Sequence, residues 1–190
     1  MVKRNIMRRA SRFIAFSIVL AFAVGSFADG QKTSGADSLP NLYEVNSNLF
    51  RGGQPDENGI KRLAQMGIKT VINLRGEDSS TKNEEKWVED AGMKFINVSL
   101  SNWFRPKTED IDEIVALIDQ AENQPVFVHC KRGADRTGTV IAVYRMTHEG
   151  WTAKQANKEA KEFGFGWWQF WMKDFINDYY KDMKTNTVTK

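Results

Sequence analysis

The segment "PVFVHCKRGADRTGTVIAVYRM" constrains the fold of this chain more than any other, because two kinds of apolar run meet in it around a short polar loop. The residues before Cys130 form a short apolar run typical of a buried strand, and those after Arg136 form a longer run typical of a helix. The loop between them has small residues at its centre, Gly133 and Ala134. A strand joined to a helix in this way is typical of α/β proteins.

Strands and helices alternate along the rest of the chain as well. A chain of 190 residues with 41% hydrophobic residues can bury one good core. We therefore predict a single α/β domain with a central, mostly parallel sheet flanked by helices, and with the polar loop between a strand and a helix N-terminus. The predicted strands are "LYEV", "LFR", "KTVINLR", "KFINVSL" and "PVFVHC", the first two as a hairpin, and the helices before the loop span 56–66, 81–91 and 108–123.

Three helix starts are predicted from capping residues. Thr81 with Glu84 and Thr152 with Gln155 have the spacing of capping boxes, and Thr108 is a suitable N-cap. Each precedes a segment with helical periodicity, so these residues are expected to fix the helix boundaries.

The C-terminal segment "WWQFWMKDFINDYY" carries an aromatic stripe. Trp168, Trp171, Phe175 and Tyr179 recur there at helical spacing. Such a stripe usually packs into the core, and a membrane-facing or partner-binding surface is the alternative.

The first 28 residues have the order of a secretory signal peptide: a basic start, a 12-residue apolar run and small residues ending at Ala28. Cleavage is predicted after Ala28. A retained anchor is the alternative, but a spanning helix needs about 20 apolar residues. We therefore expect a periplasmic or secreted protein with no membrane association after cleavage.

Residues 29–40 are predicted to be a flexible lead-in, residues 41–183 the folded domain and residues 184–190 a polar tail.

Removing the signal changes the charge balance. The first 28 residues hold five basic residues and no acidic one, so 22 basic and 24 acidic residues remain, a net charge of −2. The basic footprint expected of a nucleic-acid binder is therefore missing, and nucleic acid is not predicted as a partner.

Cys130 is the single cysteine of the chain and precedes Arg136 by six positions. Ligands of open α/β sheets bind at the carboxyl ends of strands, where a helix N-terminus supplies unpaired N–H groups. The loop from Lys131 to Arg136, which includes Arg132 and Asp135, can curl so that its amides form an anion cradle. Gly133 would permit that curl, and Arg136 would add a planar fork for two phosphate oxygens.

The same positive site would hold Cys130 as a thiolate, which is a competent nucleophile. The thiolate would attack phosphorus, form a phosphocysteine intermediate and release phosphate to water. Thr137 is predicted to donate its hydroxyl to the sulfur. His129 is predicted to orient the loop by hydrogen bonding, because a thiolate needs no separate base. An inert, buried cysteine with a surface arginine is the alternative.

The stretch "HCKRGADRTG" resembles the signature loop of the cysteine-dependent protein tyrosine and dual-specificity phosphatases. "NLYEVNSNLFRGGQP", "GIKTVINLR" and "YRMTHEGWTAKQANKEAKEFGFG" resemble bacterial exported dual-specificity phosphatases of the TpbA-like type, so the similarity covers about residues 41–166. By position, the resemblance implies Cys130 as the nucleophile, Arg136 as the phosphate clamp and the amides of Lys131 to Arg136 as the cradle. It implies no metal and no other cofactor.

The chain departs from this family at the general acid, which these phosphatases usually carry as an aspartate on a movable loop before the cysteine. The matching loop here, "LSNWFRPKT", has no carboxylate. Asp110 and Asp112 follow it but are expected to offset a helix dipole. Asp135 is the remaining candidate, since myotubularin-like lipid phosphatases have an aspartate there that is considered for this role; a salt bridge or loop hydrogen bond is the alternative. Glu77, Asp78 and Asp110 are the next candidates for the general acid if Asp135 is excluded.

Three functions fit this pattern. The first is an exported phosphomonoesterase that acts on phosphotyrosine, and also on phosphoserine or phosphothreonine, in a phosphorylated protein. Lys131 and Arg132 favour a second function, a phosphatase for a small substrate such as an inositol polyphosphate or a phospholipid headgroup. Plant and fungal phosphatases with a similar "HCKRG" loop resemble inositol-phosphate enzymes. The absent loop aspartate favours a third, a pseudophosphatase that binds phosphorylated partners without turnover.

Overall fold

The computed structural model describes residues 38–188. The predicted signal peptide, its cleavage site and nearly all of the predicted lead-in lie outside the described residues, as do residues 189 and 190. The elements of the described chain are β1 (Tyr43–Asn46), β2 (Leu49–Gly53), α1 (Glu57–Gln65), β3 (Thr70–Asn73), α2 (Ser79–Asp90), β4 (Lys94–Asn97), α3 (Thr108–Asp119), β5 (Val126–Cys130), α4 (Asp135–His148), α5 (Ala153–Glu162) and α6 (Phe170–Val188).

The strands of the described chain form one five-stranded sheet in the order β1-β2-β5-β3-β4. β1 pairs antiparallel with β2, and the other three pairs are parallel. The predicted α/β domain with a mostly parallel sheet is therefore confirmed. β5 is the central strand, so Cys130 at its carboxyl end lies between β2 and β3, at the edge of the sheet where ligands bind.

Helices cover both faces of the sheet. On one face Val71 and Phe127 belong to a core formed with α1 and α2. On the other face Ile72 and Val128 belong to a core formed with α3, α4 and α6. Successive side chains of a strand point to opposite faces, so strands covered on both faces read as continuous apolar runs. This explains the pattern of "VFVHC".

The predicted start of α2 is wrong. Asp78, not Thr81, caps this helix, since its carboxylate accepts a hydrogen bond from the Thr81 amide at 2.9 Å. Glu84, the expected partner in the capping box, is fully buried and accepts hydrogen bonds from Asn73 and Gln54. A glutamate that the spacing assigned to a helix start thus belongs to the interior behind the polar loop.

Of the other two predicted helix starts, the one at Thr108 is wrong and the one at Thr152 is confirmed. Lys107 occupies the N-cap position of α3 without a side-chain hydrogen bond, so Thr108 is the first helical residue and not the cap. The capping box of Thr152 and Gln155 is confirmed at the start of α5.

The C-terminal aromatic stripe is only partly buried. Phe175 lies in the core and Tyr179 packs against it, whereas Trp168 is 43% exposed and precedes the helix.

α6 runs to Val188, so it continues through most of the segment that was predicted as a tail after residue 183. Within residues 38–188, no helix combines the length and apolar character needed to cross a bilayer.

Candidate active site

The carboxyl end of β5 opens into a pocket of about 580 Å³. Its walls come from residues 75–78, from residues 99–103, from the loop between Cys130 and Arg136, and from Trp168. Cys130 lines this pocket and is 2% exposed. α4 begins at Asp135, directly beyond the loop, so the N-terminal amides of a helix also face the region where an anion would bind.

The loop is held from beneath by its carbonyl groups. A peptide carbonyl and the amide that follows it point in opposite directions, so carbonyls fixed away from the pocket leave the next amides facing it. This arrangement is compatible with the anion cradle that the sequence predicts at residues 131–136. The carbonyls of Lys131, Arg132 and Gly133 accept hydrogen bonds from the Gln54 amide, the Asn41 side chain and the Arg51 guanidinium at 3.3, 3.2 and 2.8 Å.

Gly133 allows the loop to curl. Its φ is +69°, in the left-handed region that favours glycine, as the sequence predicted. A Cβ at this position would also overlap the backbone of Gly52 in β2. The loop backbone therefore rests directly on the neighbouring strand, and two separate constraints select glycine here.

The environment of Cys130 favours the thiolate. Burial of the thiol opposes ionisation, but hydrogen bonds from the side chain and amide of Thr137, the charge of Arg136 and the Arg132 amide outweigh it, so the pKa of Cys130 is lowered. The buried Thr137 hydroxyl has no other hydrogen-bond partner among the described residues, which leaves it to the sulfur. A lowered pKa increases the thiolate fraction at neutral pH, which is what nucleophilic attack requires.

Arg136 is oriented by main-chain groups at the ends of two other strands. Its Nη1 donates to the carbonyls of Leu74 and Leu100 at 3.2 and 3.4 Å. Its Nε is buried and has no protein partner among the described residues. Part of the guanidinium fork therefore remains unpaired beside the pocket, as a bidentate contact with phosphate oxygens requires.

His129 lies behind the loop and does not line the pocket. It is fully buried, stacks on Phe127, and places its Nε2 2.7 Å from Glu84 Oε1. Glu84 Oε2 accepts hydrogen bonds from Gln54 and Asn73 at 2.6 and 2.7 Å. This buried cluster ties the end of β5 to α2 and β3, which fits an orienting role for His129.

The four carboxylates considered for the general acid differ in whether they line the pocket. Asp135, Glu77 and Asp78 line the pocket, and Asp110 does not. A hydrogen bond from a backbone amide in the first turn of α2, together with the charge of Arg75, lowers the pKa of Asp78. A lowered pKa makes the carboxyl group less able to hold a proton for donation, so Asp78 is less suited to the acid role.

Asp135 has one oxygen engaged in the fold. Its Oδ1 accepts a hydrogen bond from the Gly166 amide at 2.7 Å, and its Oδ2 lies 3.6 Å from Arg132 Nη1. The first contact braces the loop against the turn after α5. Because Asp135 also lines the pocket, the bracing role and the acid role both have a geometric basis.

The layer of residues beneath the loop was not predicted from the sequence. Asn41, Arg51, Gln54 and Glu84 lie far from Cys130 in sequence, and no local spacing linked them to it. The available signal was "FRGGQP", where two glycines follow an arginine and permit a close approach of backbones. Arg51 is the most unusual member of this layer, because it is fully buried and its Nε and Nη1 have no hydrogen-bond partner among the described residues. Its guanidinium lies over the Phe163 ring, with Cζ 4.0 Å from the ring centroid.

Replacing Arg51 by methionine is expected to reduce turnover of a phosphate ester by about ten- to a hundredfold, because the Gly133 carbonyl loses its cationic partner and the cradle loosens. Burial lowers the pKa of Arg51 to about 10, so the guanidinium stays charged at neutral pH and stabilises the nearby Cys130 thiolate. The midpoint of iodoacetamide alkylation of Cys130 should therefore move to higher pH. The free energy of unfolding should stay equal or rise, since a partly unsatisfied buried cation is replaced by an apolar chain.

Asn41→Ala is the matched control for Arg51→Met. It removes a neutral donor to the same stretch of carbonyls, so turnover should fall while the alkylation midpoint stays close to that of the wild type. A wild-type alkylation profile and wild-type turnover in Arg51→Met would show that Arg51 only fills space.

A cysteine of lowered pKa in an amide-lined loop is the arrangement with which the cysteine-dependent tyrosine and dual-specificity phosphatases bind and attack phosphate esters. Residues 20–173 match the family model described as "DSP-PTPase phosphatase fused to NAD+ Kinase". The chain therefore belongs to this phosphatase family, and the resemblance found in its sequence is confirmed.

Individual relatives agree with this assignment. The dual specificity protein phosphatase TpbA of Pseudomonas aeruginosa is 28% identical over 131 residues, which cover 68% of this chain and 57% of that protein. The inositol diphosphatase DSP2 of Oryza sativa is 32% identical over 109 residues, 55% of this chain and 53% of that protein. The chain thus spans little more than half the length of these curated relatives. The crystal structure of P. aeruginosa TpbA has the same fold, with a TM-score of 0.66 and 22% identity over 78% of this chain and 89% of that chain.

Proposed function

We propose that this protein is an exported phosphomonoesterase, a dual-specificity or tyrosine protein phosphatase that works through a phosphocysteine intermediate. The observation that carries the proposal is the placement of Cys130, with a lowered pKa, in a pocket beside the unpaired edge of Arg136. Family membership supports the reaction class, and the site supports the roles of the individual residues.

The reaction proceeds in two displacements. The Cys130 sulfur attacks phosphorus, an S–P bond forms, and the P–O bond to the substrate breaks while the leaving oxygen takes a proton from the general acid. Water then attacks phosphorus, the S–P bond breaks, and inorganic phosphate and the thiolate are released as the acid recovers a proton. Loop amides and the Arg136 fork stabilise the charge on the transferring phosphoryl group in both steps.

A phosphotyrosine substrate is favoured by the pocket walls. Trp103 and Trp168 both line the pocket, so an aryl phosphate can pack its ring against indoles while its phosphate reaches Cys130. The relative TpbA is described as a dual specificity protein phosphatase, which agrees with this preference.

An inositol polyphosphate or a phospholipid headgroup is the second candidate substrate. Arg75, Lys131 and Arg132 line the same pocket and supply cations beyond the Arg136 clamp, as a substrate with several phosphates would require. The rice relative is described as an inositol diphosphatase.

A side-by-side turnover assay on a phosphotyrosine peptide, a phosphoserine peptide, inositol hexakisphosphate and phosphatidylinositol phosphates tests the proposal. We expect the highest kcat/KM on the phosphotyrosine peptide. A higher value on an inositol substrate would favour the second candidate. Binding of phosphopeptide without turnover of any substrate would contradict the proposal and favour a pseudophosphatase.

Export is proposed from the N-terminal sequence. If the signal is cleaved after Ala28, the mature chain begins at Asp29. Mass spectrometry of the protein recovered from the cell envelope is expected to give the mass of residues 29–190. Recovery of the full-length chain in the membrane fraction would indicate a retained anchor instead.

A further inference from the structure

Large exposed apolar side chains are concentrated in two short segments. We call the five exposed aromatic residues of these segments the aromatic rim. The only other large hydrophobic side chain of comparable exposure in the described chain is Met66, at 37%. The rim consists of Trp103, Phe104, Trp167, Trp168 and Phe170, which are 75, 74, 89, 43 and 62% exposed.

Two residues of the rim reach the active-site pocket. Trp103 and Trp168 line the pocket from its two segments. Gln169 Nε2 donates to the Asn102 carbonyl at 3.3 Å and links the two segments directly. The second segment is also tied to the phosphate loop, because the Gly166 amide bonds to Asp135 and Arg132 Nη2 bonds to the Gly164 carbonyl. The rim is therefore held in a fixed relation to Cys130.

Folding does not account for this exposure. An aromatic side chain can bury about 150–250 Å², so five exposed rings in one place form a patch of a size that usually marks an interaction site. Trp167 is 89% exposed, so its ring protrudes from the surface and does not line a groove. Protruding rings suit a fluid partner that closes around them better than a rigid partner that would need preformed holes.

The charge around the rim differs in sign from that of the chain after signal removal. The stretches around the mouth, residues 75–78, 99–107, 130–136 and 164–170, hold six cations and three carboxylates, whereas residues 29–190 carry a net charge of −2. The exposed cations include Lys107, Lys131, Arg132 and Arg105, the last paired with Asp178 at 3.1 Å. The carboxylates are Glu77, Asp78, which pairs with Arg75, and Asp135.

We propose that the aromatic rim inserts into the interfacial region of an anionic phospholipid bilayer, with the mouth of the pocket facing the headgroups. Tryptophan and phenylalanine prefer the boundary between headgroups and acyl chains, and neighbouring lysine and arginine side chains pair with anionic lipids. This peripheral docking needs no spanning helix, and it revises the expectation that the chain leaves the membrane once its signal is removed.

The double variant Phe104→Ala/Trp167→Ala tests the proposal, because neither residue lines the pocket. Co-sedimentation is measured with vesicles of phosphatidylglycerol and phosphatidylcholine, using the chain as purified after export. The wild type should bind with a blue shift of tryptophan emission. The affinity of the double variant for the vesicles should be lower by a factor of about ten or more. Met66→Ala, which removes the exposed side chain outside the rim, should bind like the wild type. All three proteins share the same N-terminus, so any contribution of residues outside the described chain cancels.

Thermal unfolding of the three proteins checks that each is folded. Vesicle binding requires no substrate, so the test remains valid even if no substrate is turned over. Equal vesicle binding by the wild type and the double variant, or no binding by the wild type, would overturn the proposal. So would a loss of phosphoprotein turnover in the double variant without any vesicle binding by the wild type, since the rim would then serve a protein partner.

Discussion

Replacing Cys130 by serine is expected to lower turnover on every phosphate ester by a factor on the order of 10⁴ to 10⁶, as the loss of a nucleophile does in other hydrolases. The site lowers the pKa of a thiol through the Thr137 hydroxyl and amide, the Arg136 charge and the Arg132 amide. The hydroxyl of serine has a far higher pKa than a thiol, so the same groups leave it protonated and weakly nucleophilic.

The same variant should retain most of its affinity for inorganic phosphate, because the proposed cradle consists of backbone amides and Arg136. Titration calorimetry with inorganic phosphate measures this affinity, and the thermal midpoint checks that the buried site is intact. Thr137→Ser is a matched control that keeps a hydroxyl beside the sulfur, so it should keep most of the turnover. Substantial turnover by Cys130→Ser would remove the thiolate from the mechanism.

Asp135→Asn is expected to lose about 10²- to 10⁴-fold in rate on alkyl phosphates, if Asp135 protonates the leaving oxygen. An activated aryl phosphate releases a phenolate that departs well without a proton, so the loss on that substrate should be much smaller. Steady-state kinetics with an alkyl and an activated aryl phosphate measures both losses.

The bracing role makes a different prediction for the same variant. Asparagine retains an oxygen that can accept the hydrogen bond from the Gly166 amide but loses the charge that faces Arg132, so Asp135→Asn removes the acid and weakens the brace only in part. If Asp135 only braces the loop, both substrate classes should be affected about equally, with lower stability or weaker phosphate binding. Equal losses would exclude Asp135 as the acid and leave Glu77 as the next pocket-lining carboxylate to test.

The parts of the fold that depend on local sequence pattern were predictable. Apolar runs with turn residues between them identified the strands, and β5 with its loop and α4 gave the position of the nucleophile and of Arg136. Gly133 was also predictable, because a curled loop requires a positive φ that glycine adopts without strain. These features need only the residues within one strand–loop–helix unit.

The features that depend on contacts distant in sequence were not predictable. The hydrogen bond from Arg51 to the Gly133 carbonyl joins residues 82 positions apart, and the Asn41 contact with Arg132 spans 91. Glu84 matched a capping box, but its burial against His129 decided its role instead. Trp168 matched a helical stripe, yet α6 begins only at Phe170, and the tryptophan lies at the pocket mouth. For Glu84 and Trp168, tertiary packing overrides a valid local signal.

The central claim is that Cys130 carries the phosphoryl group during turnover. Rapid denaturation of the enzyme during turnover of an isotopically labelled aryl phosphate, followed by peptide mass spectrometry, tests it most directly. Labelled phosphate should be found on the peptide that contains Cys130, and it should be absent when Cys130→Ser is treated in the same way. Continued turnover with no phosphate on Cys130, or with phosphate on another residue, would contradict the account.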